Sequence, residues 1–115
     1  MIEFACKKFD LNEVIRCGLN LTKIEFKIME YFIKKSPKKF TALEISKIFK
    51  IGLSTSQKAI KKIYFKGILN KNQKNLEKGG YIFVYFIKEK KLLKNKILEI
   101  IDNWTRNIKK RIKNW

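Results

Sequence analysis

The chain has no histidine, a single proline, two cysteines and five glycines, and its 10 acidic residues face 28 lysines and arginines. Each shortage excludes something. Without histidine, and with Asp10 and Asp102 as the only aspartates, no acid pair is apparent, and no glycine-rich phosphate loop appears. An enzyme is not expected. Cys6 and Cys17 stand without histidine or further cysteine at metal spacing, so neither a metal site nor a cofactor is expected. Both are read as small buried hydrophobes. A disulfide is the alternative, realistic inside a cell mainly for a hyperthermophile. The longest apolar run, Tyr81 to Ile87, is far too short to span a bilayer, and "MIEFACKKFD" lacks the apolar core of a signal peptide. A cytoplasmic protein is expected.

What remains is a 115-residue chain, a one-domain length, with 45% hydrophobic and 13% aromatic residues and a net charge of +18. The aromatic share argues against disorder. The charge predicts attraction to polyanions, either nucleic acid or an anionic membrane surface. An A+T-rich genome would also enrich lysine, isoleucine and asparagine, but a thermophilic surface usually balances lysine with glutamate, and this one does not.

Helix starts are legible. Asp10 precedes "LNEVIRC", and three capping boxes follow at Thr22-x-x-Glu25, Thr41-x-x-Glu44 and Ser54-x-x-Gln57. The first box opens a helix to about Lys35, with Leu21, Ile24, Ile28, Tyr31 and Phe32 on one stripe; Ser36-Pro37 ends it. The second covers Ala42 to about Phe49 and buries Ala42, Ile45, Ile48 and Phe49, before a turn in which Gly52 is expected at positive φ. The third covers Thr55 to Lys66, burying Ala59, Ile60 and Ile63 and closing on Gly67. "ILNKNQ" and "YIFVYFI" then read as strands turned by Gly79-Gly80, the second apolar on both faces and therefore central. Helix returns from about Glu89 to Lys113.

In that last helix Leu93, Ile97, Ile101, Trp104 and Ile108 form a stripe whose members recur at 11-residue spacing. Such a repeat stays almost straight along a helix of about 3.67 residues per turn. The first two turns are expected on the chain's own core. A helix of roughly 37 Å exceeds the domain it would cover, so the rest is expected to pair with a second chain as a homodimer.

Helix, short β element at Lys39-Phe40, helix, tight turn, helix and hairpin is the element order of a winged helix-turn-helix. The fold class expected is mainly α with a small β-hairpin wing (α+β). Residues 1–87 would form the DNA-binding domain, with an N-terminal helical extension, and 88–115 the dimerisation helix. In such a fold the helix from Thr55 meets the major groove of double-stranded DNA. Its stripe leaves Ser54, Thr55, Gln57, Lys58, Lys61 and Lys62 facing away from the core. The free N–H groups and hydroxyls of the helix start suit a phosphate, and Gln57 suits an adenine edge, although it also completes the capping box. Lys71, Lys74 and Lys78 arm the hairpin. Residues 54–78 hold seven lysines and one glutamate, net +6, against net +5 over residues 1–53.

"ACKKFDLNEVIRCGLNLTKIEFKIMEYFIKK", "STSQKAIKKIYFKGIL" and "NQKNLEKGGYIFVYF" resemble the small archaeal winged-helix regulators related to the N-terminal domain of TrmB. Within that group the chain looks similar to the stand-alone activators that recruit transcription factor B, including the euryarchaeal archaellum regulators. The resemblance implies sequence-specific DNA binding carried by Ser54, Thr55, Gln57, Lys58, Lys61 and Lys74. No counterpart of the sugar-binding domain of full TrmB proteins is expected, nor a sugar effector. Two rival readings remain: a basic C-terminal helix lying on an anionic membrane, and a winged helix that binds protein within a transcription complex.

Overall fold

The computed structural model describes residues 2–4, 7–9 and 11–115. Cys6 and Asp10 lie outside the described residues, so neither the expected burial of Cys6 nor the cap at Asp10 is addressed. Two short antiparallel strands, β1 (Ile2–Phe4) and β2 (Lys7–Phe9), open the chain. They were not anticipated from the sequence. α1 (Leu11–Gly18), α2 (Lys23–Lys35), α3 (Ala42–Phe49) and α4 (Leu53–Phe65) follow, then β3 (Asn70–Asn75), β4 (Tyr81–Phe86) and α5 (Lys90–Lys113).

Two of the three capping boxes form. Thr22 N–H donates to Glu25 Oε1 at 2.7 Å while Glu25 N–H donates to Thr22 Oγ1 at 3.3 Å. Thr41 and Glu44 repeat the exchange at 2.9 and 3.1 Å. The third does not form. α4 begins at Leu53 with Gly52 as its N-cap, which puts Ser54 inside the first turn and leaves Gln57 free of any cap bond. The reversal before it is also made differently. Gly52 is extended at φ −65°, and Lys50 takes the left-handed conformation at φ 54°. The Ile51 N–H then donates to the Ser46 carbonyl at 2.9 Å, closing α3 in a Schellman-type turn.

α4 is the hub of the core. Ala59, Ile60 and Ile63 are buried as the stripe predicts, and Ser56 joins them with its hydroxyl donating to Ala42 O at 2.7 Å. That bond fixes α3 against α4. Phe32, Ile28 and Met29 of α2 and Ile45 of α3 complete the interior. Ile48, expected inside, is largely exposed because the short α3 turns only its Ala42–Ile45–Phe49 side inward. Cys17 is likewise exposed rather than buried.

Gly67 closes α4 at φ +78°, with Ile68 N–H donating to Ile63 O at 3.3 Å. Gly79 and Gly80, both at positive φ, turn the hairpin. β4 is flanked on one side by β3 and on the other by Phe40, which exchanges backbone bonds with Tyr85 at 2.9 and 2.8 Å. It is central, as its two apolar faces require.

α5 has two regimes. Leu93 is buried, and Ile97 and Ile100 pack on the core. Further along, Ile101 and Trp104 lie over α1, where a methyl on Gly18 would sit 3.4 Å from Ile101 Cγ1 and 3.8 Å from Trp104 Cε3. The chain's own packing therefore runs about two turns further than expected. Beyond it Ile108, Ile112 and Trp115 stay exposed on the same stripe, in a molecule whose extents are 60 × 25 × 24 Å.

Candidate nucleic-acid interface

The outer side of α4 is set by its core side. With Ser56, Ala59, Ile60 and Ile63 turned inward, Ser54, Thr55, Gln57, Lys58 and Lys61 are exposed. The first turn has neither an acidic residue nor a side-chain cap. Its N–H groups and the positive end of the helix dipole are thus open to an anion.

Lys62 is used elsewhere. Its Nζ lies 2.9 Å from Glu25 Oε1, tying α4 to the start of α2. Burial alone would raise the Glu25 carboxyl. Hydrogen bonds from Lys62 and Thr22, with the Lys62 charge, outweigh it and hold the group below its ordinary 4.5. A carboxyl lowered in the folded state adds stability above its unfolded value and loses it as the pH falls through the lowered one. Glu25→Gln should therefore lower the melting temperature at pH 7. The gap to wild type should close as the pH is taken below 4.5.

The hairpin presents two faces. Register pairs Lys71 with Tyr85, Gln73 with Phe83 and Asn75 with Tyr81, and these share the face turned to α4. Lys74, opposite Ile82, is on the other face, beside a hollow edged by Lys39 and Glu44. Lys78 is exposed at the tip. Lys71 does not project freely. Its Nζ lies 4.6 Å from the Tyr64 ring centre and 4.4 Å from that of Phe83. Of the predicted residues, Ser54, Thr55, Gln57, Lys58 and Lys61 come together on one surface. Lys71 and Lys78 border it on the hairpin, and Lys62 and Lys74 point elsewhere.

Between α4 and β4 runs an open groove of about 530 Å³, with Gln57 and Lys61 across from Tyr81 and Phe83 and with Leu43 and Leu53 at one end. Tyr81 and Phe83 were not singled out from the sequence, nor was Phe65, which falls on the lysine stripe beside the groove, four and seven positions after Lys61 and Lys58. Nor does charge alone mark the site. Residues 88–115 hold ten basic and three acidic groups, net +7 in 28 positions, as dense as residues 54–78. Geometry, not charge, distinguishes the α4 face.

Residues 9–108 match the DnaD N-terminal domain family. The chain belongs to that family. An uncharacterized protein of Methanocaldococcus jannaschii is 31% identical over 104 residues, covering 90% of this chain and 84% of that one. A solved structure from Methanosarcina mazei, described as a possible transcriptional regulator, is 37% identical with a TM-score of 0.85, covering 100% of this chain and 96% of its own. The transcriptional regulator BldR of Sulfolobus solfataricus shares the fold at 18% identity and a TM-score of 0.51, covering 88% of this chain and 67% of its own. This member of the DnaD N-terminal domain family is a winged helix-turn-helix with a long C-terminal helix. The Methanosarcina neighbour is described as a possible transcriptional regulator and the Sulfolobus one as a transcriptional regulator. Among the described residues no helix is long and apolar enough to cross a membrane, and no cluster of potential metal ligands occurs.

Proposed function

We propose that the chain binds double-stranded DNA sequence-specifically, as a homodimeric transcriptional regulator. The observation that carries it is the first turn of α4, uncapped and free of acid, exposing Ser54, Thr55, Gln57, Lys58 and Lys61 beside the basic hairpin. The description of the Methanosarcina protein supports the regulatory role. The finer reading is an activator at archaeal promoters, TrmB-like and recruiting transcription factor B. It rests on the sequence resemblance in residues 4–87.

Gln57 makes no cap bond, so its amide is available to a base edge and its loss should leave the helix start intact. Gln57→Ala should cost about 1–3 kcal/mol on the preferred site and little on scrambled duplex. Lys78→Ala, at the hairpin tip, should weaken both about equally and lower the salt slope by about one. Paired titrations at three salt concentrations read both. Equal loss on the two duplexes by Gln57→Ala would mean that α4 does not read bases there.

Residues 1–87 are proposed for DNA and 88–115 for pairing, with Leu93, Ile97, Ile101 and Trp104 supporting the dimer chiefly by holding α5 in place. The contact itself is then carried by Ile108 and Ile112, which stand 41% and 51% exposed beyond the reach of α1. Ile108→Glu with Ile112→Glu should give a monomer by light scattering while the melting temperature of the isolated fold is retained. A wild-type protein already monomeric at micromolar concentration would end the dimer proposal.

A further inference from the structure

Tyr81 and Phe83 line the groove between α4 and the hairpin, and a second aromatic pair, Tyr64 and Phe65, stands beside it near the end of α4. Tyr64 and Phe65 have ring centres 5.4 Å apart, as do Tyr81 and Phe83. Lys71 Nζ joins the pairs by sitting over both Tyr64 and Phe83. The ends of this row are not core. Phe65 is 80% exposed and Tyr81 56% exposed. Lys58 and Lys61 precede Phe65 on one helical stripe, and no acidic residue lines the groove that Lys61 and Tyr81 share.

A closed duplex gives such rings little to stack on. It offers base edges in its grooves and phosphates along its rims, while the faces of its bases are stacked on each other. Aromatic side chains gain most from those faces, which are free only where bases are unpaired. The lysines and the absence of acid select a polyanion over an apolar peptide as the occupant. We infer that the groove between α4 and the hairpin, with the exposed α4 face beside it, binds unpaired bases of locally opened or single-stranded DNA. Phe65 and Tyr81 serve as stacking platforms, Lys58 and Lys61 meet the flanking phosphates, and Gln57 faces an exposed base edge. The cation held between Tyr64 and Phe83 fixes the row in place. This inference rests on the proposed nucleic-acid face and adds to it a preference for open DNA.

The test uses the full chain and three labelled DNAs of one length at one salt concentration: a closed duplex, the same duplex with a short central mismatched bubble, and a single strand. Binding is read by fluorescence anisotropy. Wild type should bind the bubble about tenfold more tightly than the closed duplex. Phe65→Ala with Tyr81→Ala should lower bubble affinity by about five- to a hundredfold and duplex affinity by less than about twofold, while Tyr81→Phe keeps the preference. Both truncated side chains are exposed, and melting curves confirm that the variants fold. Equal binding of bubble and closed duplex by wild type overturns the inference while the duplex reading stands. A parallel loss on both DNAs by the folded double variant also overturns it. Bubble binding without duplex binding upholds the inference and removes the duplex reading. Binding to none of the three removes both.

Discussion

Replacing Lys58, Lys61 and Lys78 together by alanine is expected to weaken duplex binding by about 10²- to 10³-fold near 0.1 M salt. Each lysine that neutralises a phosphate releases a condensed counterion, contributing about 0.9 to the slope of log K against log salt. Three such contacts give a slope change of about 2.7, and at 0.1 M salt each is worth about eightfold. All three side chains are on exposed residues, and no ion pair joins any of them to the rest of the described residues, so the fold should be untouched. Titration at several salt concentrations checks both affinity and slope. An unchanged slope would show that these lysines face solvent alone.

Phe32→Ala should remove about 3–5 kcal/mol of stability, a large part of what a domain of this size has. Phe32 is fully buried and meets Phe40 edge-on at 5.6 Å. Phe40 in turn bridges to Tyr85 of β4. The lost ring would therefore loosen α2 and also the strand from which the hairpin projects. Chemical denaturation gives the loss, and a drop under about 1 kcal/mol would mean that the cavity collapses and the hairpin is anchored by other contacts.

Local chemistry was readable from the sequence where the groups that interact are neighbours. The Thr22 and Thr41 boxes, the Gly67 cap and the Gly79-Gly80 turn all depend on residues within five positions of each other. So does the inward stripe of α4. The Ser54–Gln57 pattern failed because Lys50 makes the reversal and lets Gly52 cap the helix first, an outcome decided by how α3 closes on Ser46. Lys62 could not be separated from Lys58 and Lys61 by pattern, since its partner Glu25 is 37 residues away. Lys71 stays exposed, but its ammonium is engaged by rings on α4 and β4 that no local pattern brings together. The α5 stripe was visible, but its reach over Gly18 depends on how α1 sits against it. The aromatic row was missed because its members come from two elements and meet only in the folded chain.

The most direct test of the α4–hairpin face is a backbone amide NMR titration of the full chain with a short duplex, since α5 carries as dense a charge and would attract DNA without any winged-helix geometry. The largest shifts should fall on residues 53–61 and on the hairpin from 71 to 81, with residues 106–115 changing little. Shifts concentrated on residues 106–115, with α4 unmoved, would contradict the α4–hairpin assignment.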